Sequence, residues 1–385
     1  MHAFAYLDDN HKNYLEDKLN FYKIDHGNLI QINQVNEPST LIVKTNFNLD
    51  KSIINGALPI DVSLINLLKT KTYINVIFFN ETEPDNYDVI KYIGPILKEF
   101  NLDEKRFTII NNNEELIKYK QDSNINVYVN HPHIYAGAKE MIKVDYEYKQ
   151  DKKYLFMSYN RNLKAHRFFF LCLLKKQGIL DNIDWSWLRG DEMSKFKEIP
   201  DWFYQQIMNR EQFIGLSNEI GTLIKEGRKV SEYELDIISN IKTDDFDYPN
   251  HYKLNPYQNS YIHIVNESYY EDKEAILLSE KSIIPLYFSQ LPVYLASHNH
   301  LKFFREEYNF DLFDDFINHD YDDEPDNYLR MEKLLKEVNR LNENKEDVIK
   351  FCKQNQHRFN QNKQRVIEIV ETFKDSKNLK KIFNV

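Results

Sequence analysis

The polar residues best placed for chemistry follow a strongly apolar strand. The segment Tyr261–Val265 (YIHIV) is β-branched and aromatic, which predicts a buried strand. Three polar residues come directly after it: Asn266, Glu267 and Ser268. Because ligands of open parallel sheets bind beyond the carboxyl ends of the strands, these side chains are candidates for a binding site.

A second candidate segment begins the next helix at Ser279, Glu280 and Lys281. Serine is a good N-cap, whereas a lysine in the first turn opposes the positive end of the helix dipole. A bound anion would explain Lys281, and Glu280 could accept hydrogen bonds from ribose hydroxyls. The alternative is a surface turn in which Glu280 and Lys281 form an ion pair.

A basic segment, Ser158–Arg167 (SYNRNLKAHR), lies between a predicted strand and an apolar helix. Such a junction in an acidic protein is suited to binding a diphosphate. The candidate donor-binding residues here are Asn160, Arg161 and Arg167. Arg167 is the strongest of them, because the buried helix that begins beside it would fix its guanidinium. A solvated helix start is the alternative.

Candidate catalytic carboxylates follow another apolar strand, Ile74–Asn80. Glu81 and Glu83 lie where such a strand ends, and partial burial would raise the pKa of a carboxylic acid toward that of a general base. Two carboxylates in a loop are equally consistent with solvated charge.

Together these segments resemble the donor half of the fucosyltransferase-type glycosyltransferases. The resemblance covers residues 150–325 and rests on SYNRNLKAHR and on NES…SEKSIIPLYFSQLPVYL. It implies that Arg167 contacts the diphosphate of a nucleotide sugar, that Glu280 binds the ribose and that Lys281 binds the phosphates. It favours Glu81 over Glu83 as the base.

The resemblance further implies an inverting, metal-independent enzyme of the two-domain GT-B type. Its donor would be a nucleotide diphosphate sugar, with GDP-fucose as one candidate, and its acceptor a hydroxyl on a glycan; no cofactor is expected. Two alternatives stay open. One is a non-catalytic module that binds a glycan or a nucleotide, and the other is a metal-dependent GT-A-type glycosyltransferase.

The metal-dependent alternative has few candidate ligands in the sequence. GT-A enzymes use Asp-x-Asp motifs, which occur at Asp245–Asp247 and Asp320–Asp322, and chance would supply such triplets in so acidic a chain. His131 and His133 share one side of a predicted strand but have no acidic third ligand nearby. We therefore predict no metal site. A P-loop and a G-x-G-x-x-G fingerprint are both absent from the sequence.

The pattern of elements predicts an α/β fold with two Rossmann-like domains and a helical C-terminal extension. Strand-like and helical segments alternate, as in parallel βαβ units. The predicted domains are an acceptor-side domain at 1–148 and a donor-binding domain at 149–345. A C-terminal helix at 346–385 is expected to pack across both.

Composition narrows the classes of partner. The 385 residues carry a net charge of -10, which argues against nucleic acid as the main partner. The sequence has no signal peptide, no membrane-length apolar segment and only two cysteines, so a cytoplasmic protein is expected. The basic tail from Phe351 to Val385 could contact anionic lipid as a peripheral membrane segment, or it could pack back on the protein.

Overall fold

The computed structural model divides the chain into two compact units. It describes residues 3–6, 12–13, 15, 29–45, 62–80, 94–95, 97–111, 124–129, 132–144, 146, 148–160, 164–187, 215–230, 257–270, 276 and 278–374. Unit 1 comprises Met1–Pro132, Glu274–Leu277 and Val370–Val385, and unit 2 comprises His133–Lys273 and Leu278–Ile369. The first segment of unit 1 ends at Pro132, whereas the sequence predicts a domain boundary at residue 148. The packing of a C-terminal helix across both domains stays a prediction.

Unit 1 contains a parallel sheet of six strands with the order β2-β1-β3-β4-β5-β6. Its strands are β1 (Ala3–Tyr6), β2 (Leu29–Gln31), β3 (Ser39–Thr45), β4 (Ile74–Asn80), β5 (Phe107–Asn111) and β6 (Asn126–Val129). Helix α1 (Val62–Thr70) precedes β4, and its Ile65 and Leu68 join the buried core. The strand that the sequence predicts at Ile74–Asn80 is confirmed as β4.

Unit 2 contains a second parallel sheet, with four strands in the order β10-β9-β7-β8. They are β7 (Tyr154–Asn160), β8 (Ile183–Trp187), β9 (Ser260–Asn266) and β10 (Leu291–Leu295). Every residue of β9 and β10 is buried, which accounts for the continuous apolar sequence of β10 and for the mainly apolar sequence of β9. The predicted α/β class with parallel strands is therefore confirmed.

Four described helices accompany this sheet; the first precedes β7 in the chain, and the other three lie between its strands. They are α2 (Pro132–Met141), α3 (Ala165–Lys176), α4 (Ser217–Val230) and α5 (Glu280–Tyr287). Helix α3 lies between β7 and β8 in the chain, and α5 lies between β9 and β10. Strands β7 and β9 are neighbours in the middle of the sheet. Strand β8, which follows β7 in the described chain, lies beyond β7, and strand β10, which follows β9, lies beyond β9 at the opposite edge. The strand order thus reverses between β7 and β9, which is where parallel α/β sheets bind ligands.

The C-terminal part of the described chain is helical. It forms α6 (His300–Tyr308), α7 (Asn327–Glu343), α8 (Lys345–Gln354) and α9 (Gln356–Lys374). The sequence predicts one C-terminal helix at 346–385, but the described part of this segment forms two helices, α8 and α9, that are separated at Asn355. The Asn355 side chain donates to the Phe351 carbonyl at 2.9 Å, and such local bonds compete with a continuing helix. None of the described helices is long and apolar enough to span a membrane.

A buried arginine on α7 ties this helix to the loops that follow β9 and β10. Arg330 is 2% exposed and donates to the carbonyls of Tyr270 (2.5 Å), Ala296 (3.2 Å) and Glu324 (2.8 Å). Its guanidinium also lies 4.5 Å from the centre of the Tyr270 ring. Burial lowers the pKa of Arg330, and the nearby Tyr270 and carboxylates counteract that effect. The arginine therefore replaces water as the donor to several carbonyls at one place.

Replacing Arg330 by alanine should destabilise unit 2 strongly, because it leaves these buried carbonyls without a donor. We expect the free energy of unfolding to fall by about 3 kcal/mol, measured by urea denaturation. The matched control is Lys333→Ala on the same helix, which breaks the exposed 2.7 Å pair with Glu324 and should cost far less stability than Arg330→Ala, because solvent screens such pairs. Equal losses in the two variants would contradict this role of Arg330.

Candidate functional site

Polar side chains gather at the carboxyl end of the unit 2 sheet. Asn160 ends β7 and Asn266 ends β9, and both are buried. The Asn266 amide donates to the Ser158 hydroxyl at 2.9 Å and to the Ile264 carbonyl at 3.3 Å. The adjacent ends of β7 and β9 are therefore joined by side chains as well as by the sheet.

Glu267 follows β9 and has a fully buried carboxylate, with 0% of the residue exposed. The Ser279 hydroxyl lies 2.9 and 2.8 Å from its two oxygens, and the Ser282 hydroxyl lies 2.6 Å from Oε1. The Ser268 backbone N–H donates to Oε2 at 3.3 Å. A carboxylate can be buried at acceptable cost only when such donors replace water. These bonds hold the start of α5 against the end of β9.

Ser279 is the N-cap of α5, as the sequence predicts. Its Oγ accepts a hydrogen bond from the Lys281 backbone N–H at 3.2 Å while donating to Glu267. Its hydroxyl is thus both acceptor and donor, and bonds linked in this way strengthen one another.

The backbone carbonyl of Glu267 is contacted by the end of the basic segment Ser158–Arg167. Arg167 donates to it from Nη2 at 2.9 Å and from Nε at 3.3 Å, and His166 Nε2 lies 3.2 Å away. Arg167 is 4% exposed, and the His166 ring stacks on Tyr270 with centroids 5.3 Å apart. The packing of α3 therefore fixes both basic side chains next to Glu267.

Lys281 lies in the first turn of α5 and is more accessible than Arg167. Its side chain is 34% exposed, and Nζ lies 3.2 Å from Glu280 Oε1 and 3.5 Å from Ser279 Oγ. Burial and the charge of Arg167 lower the pKa of Lys281, but the carboxylates of Glu280 and Glu267 outweigh them and raise it. Lys281 thus carries its positive charge at neutral pH, close enough to Arg167 for the two charges to interact.

Eight of the predicted donor-binding residues lie together at this end of the sheet. They are Asn160, Arg167, Asn266, Glu267, Ser268, Ser279, Glu280 and Lys281. The remaining predicted residues, Arg161, Glu81 and Glu83, lie outside the described part of the chain. The predicted roles of all these residues stay predictions. The ion pair of the surface-turn alternative is present between Glu280 and Lys281, although Ser279 beside it is buried.

Two further residues of the site were not predicted. Ser282 follows Ser279 by three positions, so helical spacing could have indicated that both hydroxyls face Glu267. His300 begins α6, is fully buried and has Nε2 3.1 Å from the Ser282 hydroxyl. Nothing in the local sequence indicates this contact.

Among the carboxylates considered as metal ligands, Asp322 has a structural role. Asp322 is buried, and its carboxylate accepts the backbone N–H groups of Leu301 and Lys302 at 3.0 Å, which caps α6. Asp245, Asp247 and His131 lie outside the described residues. Among the residues that the structure does describe, no group of three or more His, Cys, Asp and Glu side chains could hold a metal ion.

Comparison with known proteins did not identify a relative of this chain. No protein-family model matches the chain, and neither the search of curated proteins nor that of solved structures found a match. The fold and the site therefore define the protein only as an α/β protein with two parallel sheets. In unit 2, cationic and hydroxyl side chains gather where the strand order reverses.

Helix α2 approaches the start of α5 so closely that only glycine fits at the contact. A Cβ atom added at Gly137 would lie 2.3 Å from Cβ and 3.1 Å from Cα of Glu280. Such distances require backbone movement, because Glu280 belongs to the first turn of α5. Gly137 thus allows α2 to pack against the residue next to Lys281.

Gly137→Ala should therefore destabilise the protein by about 2 kcal/mol and displace the first turn of α5. The matched control is Gly221→Ala on α4, where an added Cβ meets nothing within 4 Å. That change should stabilise the protein by about 0.5 kcal/mol, because alanine is the better helix former. Chemical denaturation of both variants measures the difference, and equal effects would show that the contact at Gly137 imposes no constraint.

Proposed function

We propose that the protein is an inverting, metal-independent glycosyltransferase of the GT-B type. It would transfer a sugar, with fucose as one candidate, from a nucleotide diphosphate donor to a hydroxyl of a glycan. In this proposal Lys281 and Arg167 stabilise the diphosphate, and Glu280 binds the ribose. Glu81, or alternatively Glu83, acts as the base.

The observation that carries the proposal is that one residue, Glu267, is linked to two cations, directly to Arg167 and through Ser279 to Lys281. Arg167 and Glu267 are 100 residues apart in the chain, yet the guanidinium of Arg167 donates to the carbonyl of Glu267. Lys281 lies in the first turn of α5, whose N-cap is held by the carboxylate of the same Glu267. Positive charge and the N-terminus of a helix at the carboxyl end of a parallel sheet are a favourable environment for phosphate groups.

This arrangement suits the chemistry of glycosyl transfer. The bond between the anomeric carbon and the diphosphate oxygen breaks, and negative charge builds up on the leaving diphosphate. The acceptor oxygen forms the new bond from the opposite face while the base takes its proton, so the configuration is inverted. Cations held in place before the reaction stabilise the developing charge without reorganisation. Lys281 is exposed enough to contact the diphosphate, and Arg167 contributes its charge from the buried side.

A thermal-shift screen with GDP, UDP, CDP and ADP tests the proposal. At about 100 times its Kd, the nucleotide of the donor should stabilise the protein by about 2.7 kcal/mol and raise Tm by several degrees. The same shift is expected with EDTA present. A shift that EDTA abolishes would favour the metal-dependent alternative, and no shift with any of the four would contradict the proposal.

Lys281→Ala should impair both binding of the donor and catalysis, because its contact strengthens as charge develops on the leaving group. We expect the donor KM to rise and kcat to fall, with a loss in kcat/KM of roughly 10- to 100-fold. Lys336→Ala on α7 removes an exposed lysine and serves as the control, with kinetics close to those of the unaltered protein.

Unchanged use of the donor by Lys281→Ala would show that this lysine is not at the diphosphate. Nucleotide binding by the unaltered protein without any sugar transfer or hydrolysis would instead support the non-catalytic module.

A further inference from the structure

Glu267 contacts α3, which carries Arg167, and the start of α5, which carries Lys281, but it uses a different group for each. Its carbonyl receives the guanidinium of Arg167, and its carboxylate receives the hydroxyls of Ser279 and Ser282 at the start of α5. The residue has no exposed surface, so a ligand cannot reach its carboxylate. This differs from the direct role in donor binding that the sequence suggests for Glu267.

We propose that Glu267 is a positioning residue, whose buried carboxylate fixes the first turn of α5 and thereby directs Lys281 toward the diphosphate. The inference rests on the proposed function, because Glu267 would affect binding of the donor only through the position of Lys281. Two hydrogen bonds connect Glu267 to Lys281 through the Ser279 hydroxyl. The carboxylate accepts from Ser279, and Ser279 Oγ in turn accepts the backbone N–H of Lys281.

Further hydrogen bonds hold Ser282, one of the two serines that donate to the Glu267 carboxylate. The Ser282 hydroxyl lies 3.1 Å from His300 Nε2, and the Tyr294 hydroxyl donates to the Ser282 carbonyl at 2.8 Å. His300 and Tyr294 are both buried, so these partners are rigidly packed. The first turn of α5 is therefore held by a set of contacts that centre on Glu267.

Glutamine is the informative replacement, because it keeps the size of the side chain but removes its charge and one acceptor oxygen. Three donors converge on the carboxylate: the hydroxyls of Ser279 and Ser282 and the N–H of Ser268. An amide offers one oxygen and donates from its nitrogen, so one of the three donors loses its acceptor: the Ser268 N–H if the oxygen replaces Oε1, or the Ser282 hydroxyl if it replaces Oε2. In either orientation the Ser279 hydroxyl no longer donates to a charged group, which weakens its bond. The cap on Lys281 then loosens while the rest of the chain is unchanged.

A double-mutant cycle tests whether Glu267 acts through Lys281. The measurement is the Kd of GDP or UDP, whichever raises Tm more, for the unaltered protein, Glu267→Gln, Lys281→Ala and the double variant. We expect each single change to weaken binding by about tenfold and the double variant to bind within about twofold of Lys281→Ala. Additive losses, or an unchanged Kd for Glu267→Gln, would overturn the proposal.

Glu337→Gln is the matched control for a general loss of stability. Glu337 is also a buried glutamate in unit 2, 5% exposed, and it accepts from the Asn318 N–H at 3.0 Å and from Arg340 at 2.6 Å. Its replacement should lower the free energy of unfolding but leave the Kd within about twofold. A tenfold weaker Kd in this variant would mean that the effect of Glu267→Gln is not specific to the site.

Hydrogen exchange provides a measurement that needs no ligand. In Glu267→Gln, the amides of residues 281–283 should exchange faster than in the unaltered protein, whereas in Glu337→Gln they should not. If no nucleotide binds the unaltered protein, the proposed function fails, and exchange still decides whether Glu267 fixes α5. Unchanged exchange at 281–283 would refute the positioning role. If Glu267→Gln does not fold, Ser282→Ala, which removes one donor to the carboxylate, replaces it in both measurements.

Discussion

The pairing of one buried carboxylate governs the arrangement of the unit 2 site. A carboxylate without exposed surface loses its hydration, so donors from the protein must replace the water. Ser279 and Ser282 supply them at Glu267, and both belong to the start of α5. The need to satisfy this charge therefore brings the helix start to the strand end. The same residue receives Arg167 from α3, so two helices that are distant in the chain meet at one point.

The C-terminal helices hold this end of the sheet from a different direction. Arg330 on α7 binds carbonyls in the loops after β9 and β10, and Asp322 caps α6. Helix α6 begins with His300, which contacts Ser282 in the first turn of α5. The helices that follow the second sheet are thus part of the framework around the site. This gives them a role that their amphipathic sequences alone do not reveal.

Much of the fold could be predicted because buried parallel strands have a distinctive sequence. Strand β10 is apolar throughout and β9 has an apolar majority, and Ser279 has the residue type of an N-cap. Strand β8 was missed because Asp184 interrupts its pattern; in the structure this carboxylate is paired with the Tyr159 hydroxyl at 2.6 Å. Strands β1 and β2, with four and three residues, are too short to show a period.

The candidate site could be predicted only in part, for a related reason. Spacing along the chain identifies the residues at strand ends and helix starts, and these do lie together. Spacing does not show that Glu267 is buried or that Ser282 and His300 complete its surroundings, because those contacts join separate segments. The sequence therefore indicated a direct role for Glu267, whereas its burial favours an indirect one.

A crystal structure of the protein with bound GDP or UDP tests the central claim most directly. The account predicts diphosphate oxygens within hydrogen-bond distance of Lys281 Nζ, beside the first turn of α5, with Arg167 still held on the carbonyl of Glu267. A diphosphate bound elsewhere on the molecule, or one that leaves the ammonium of Lys281 in solvent, would contradict it.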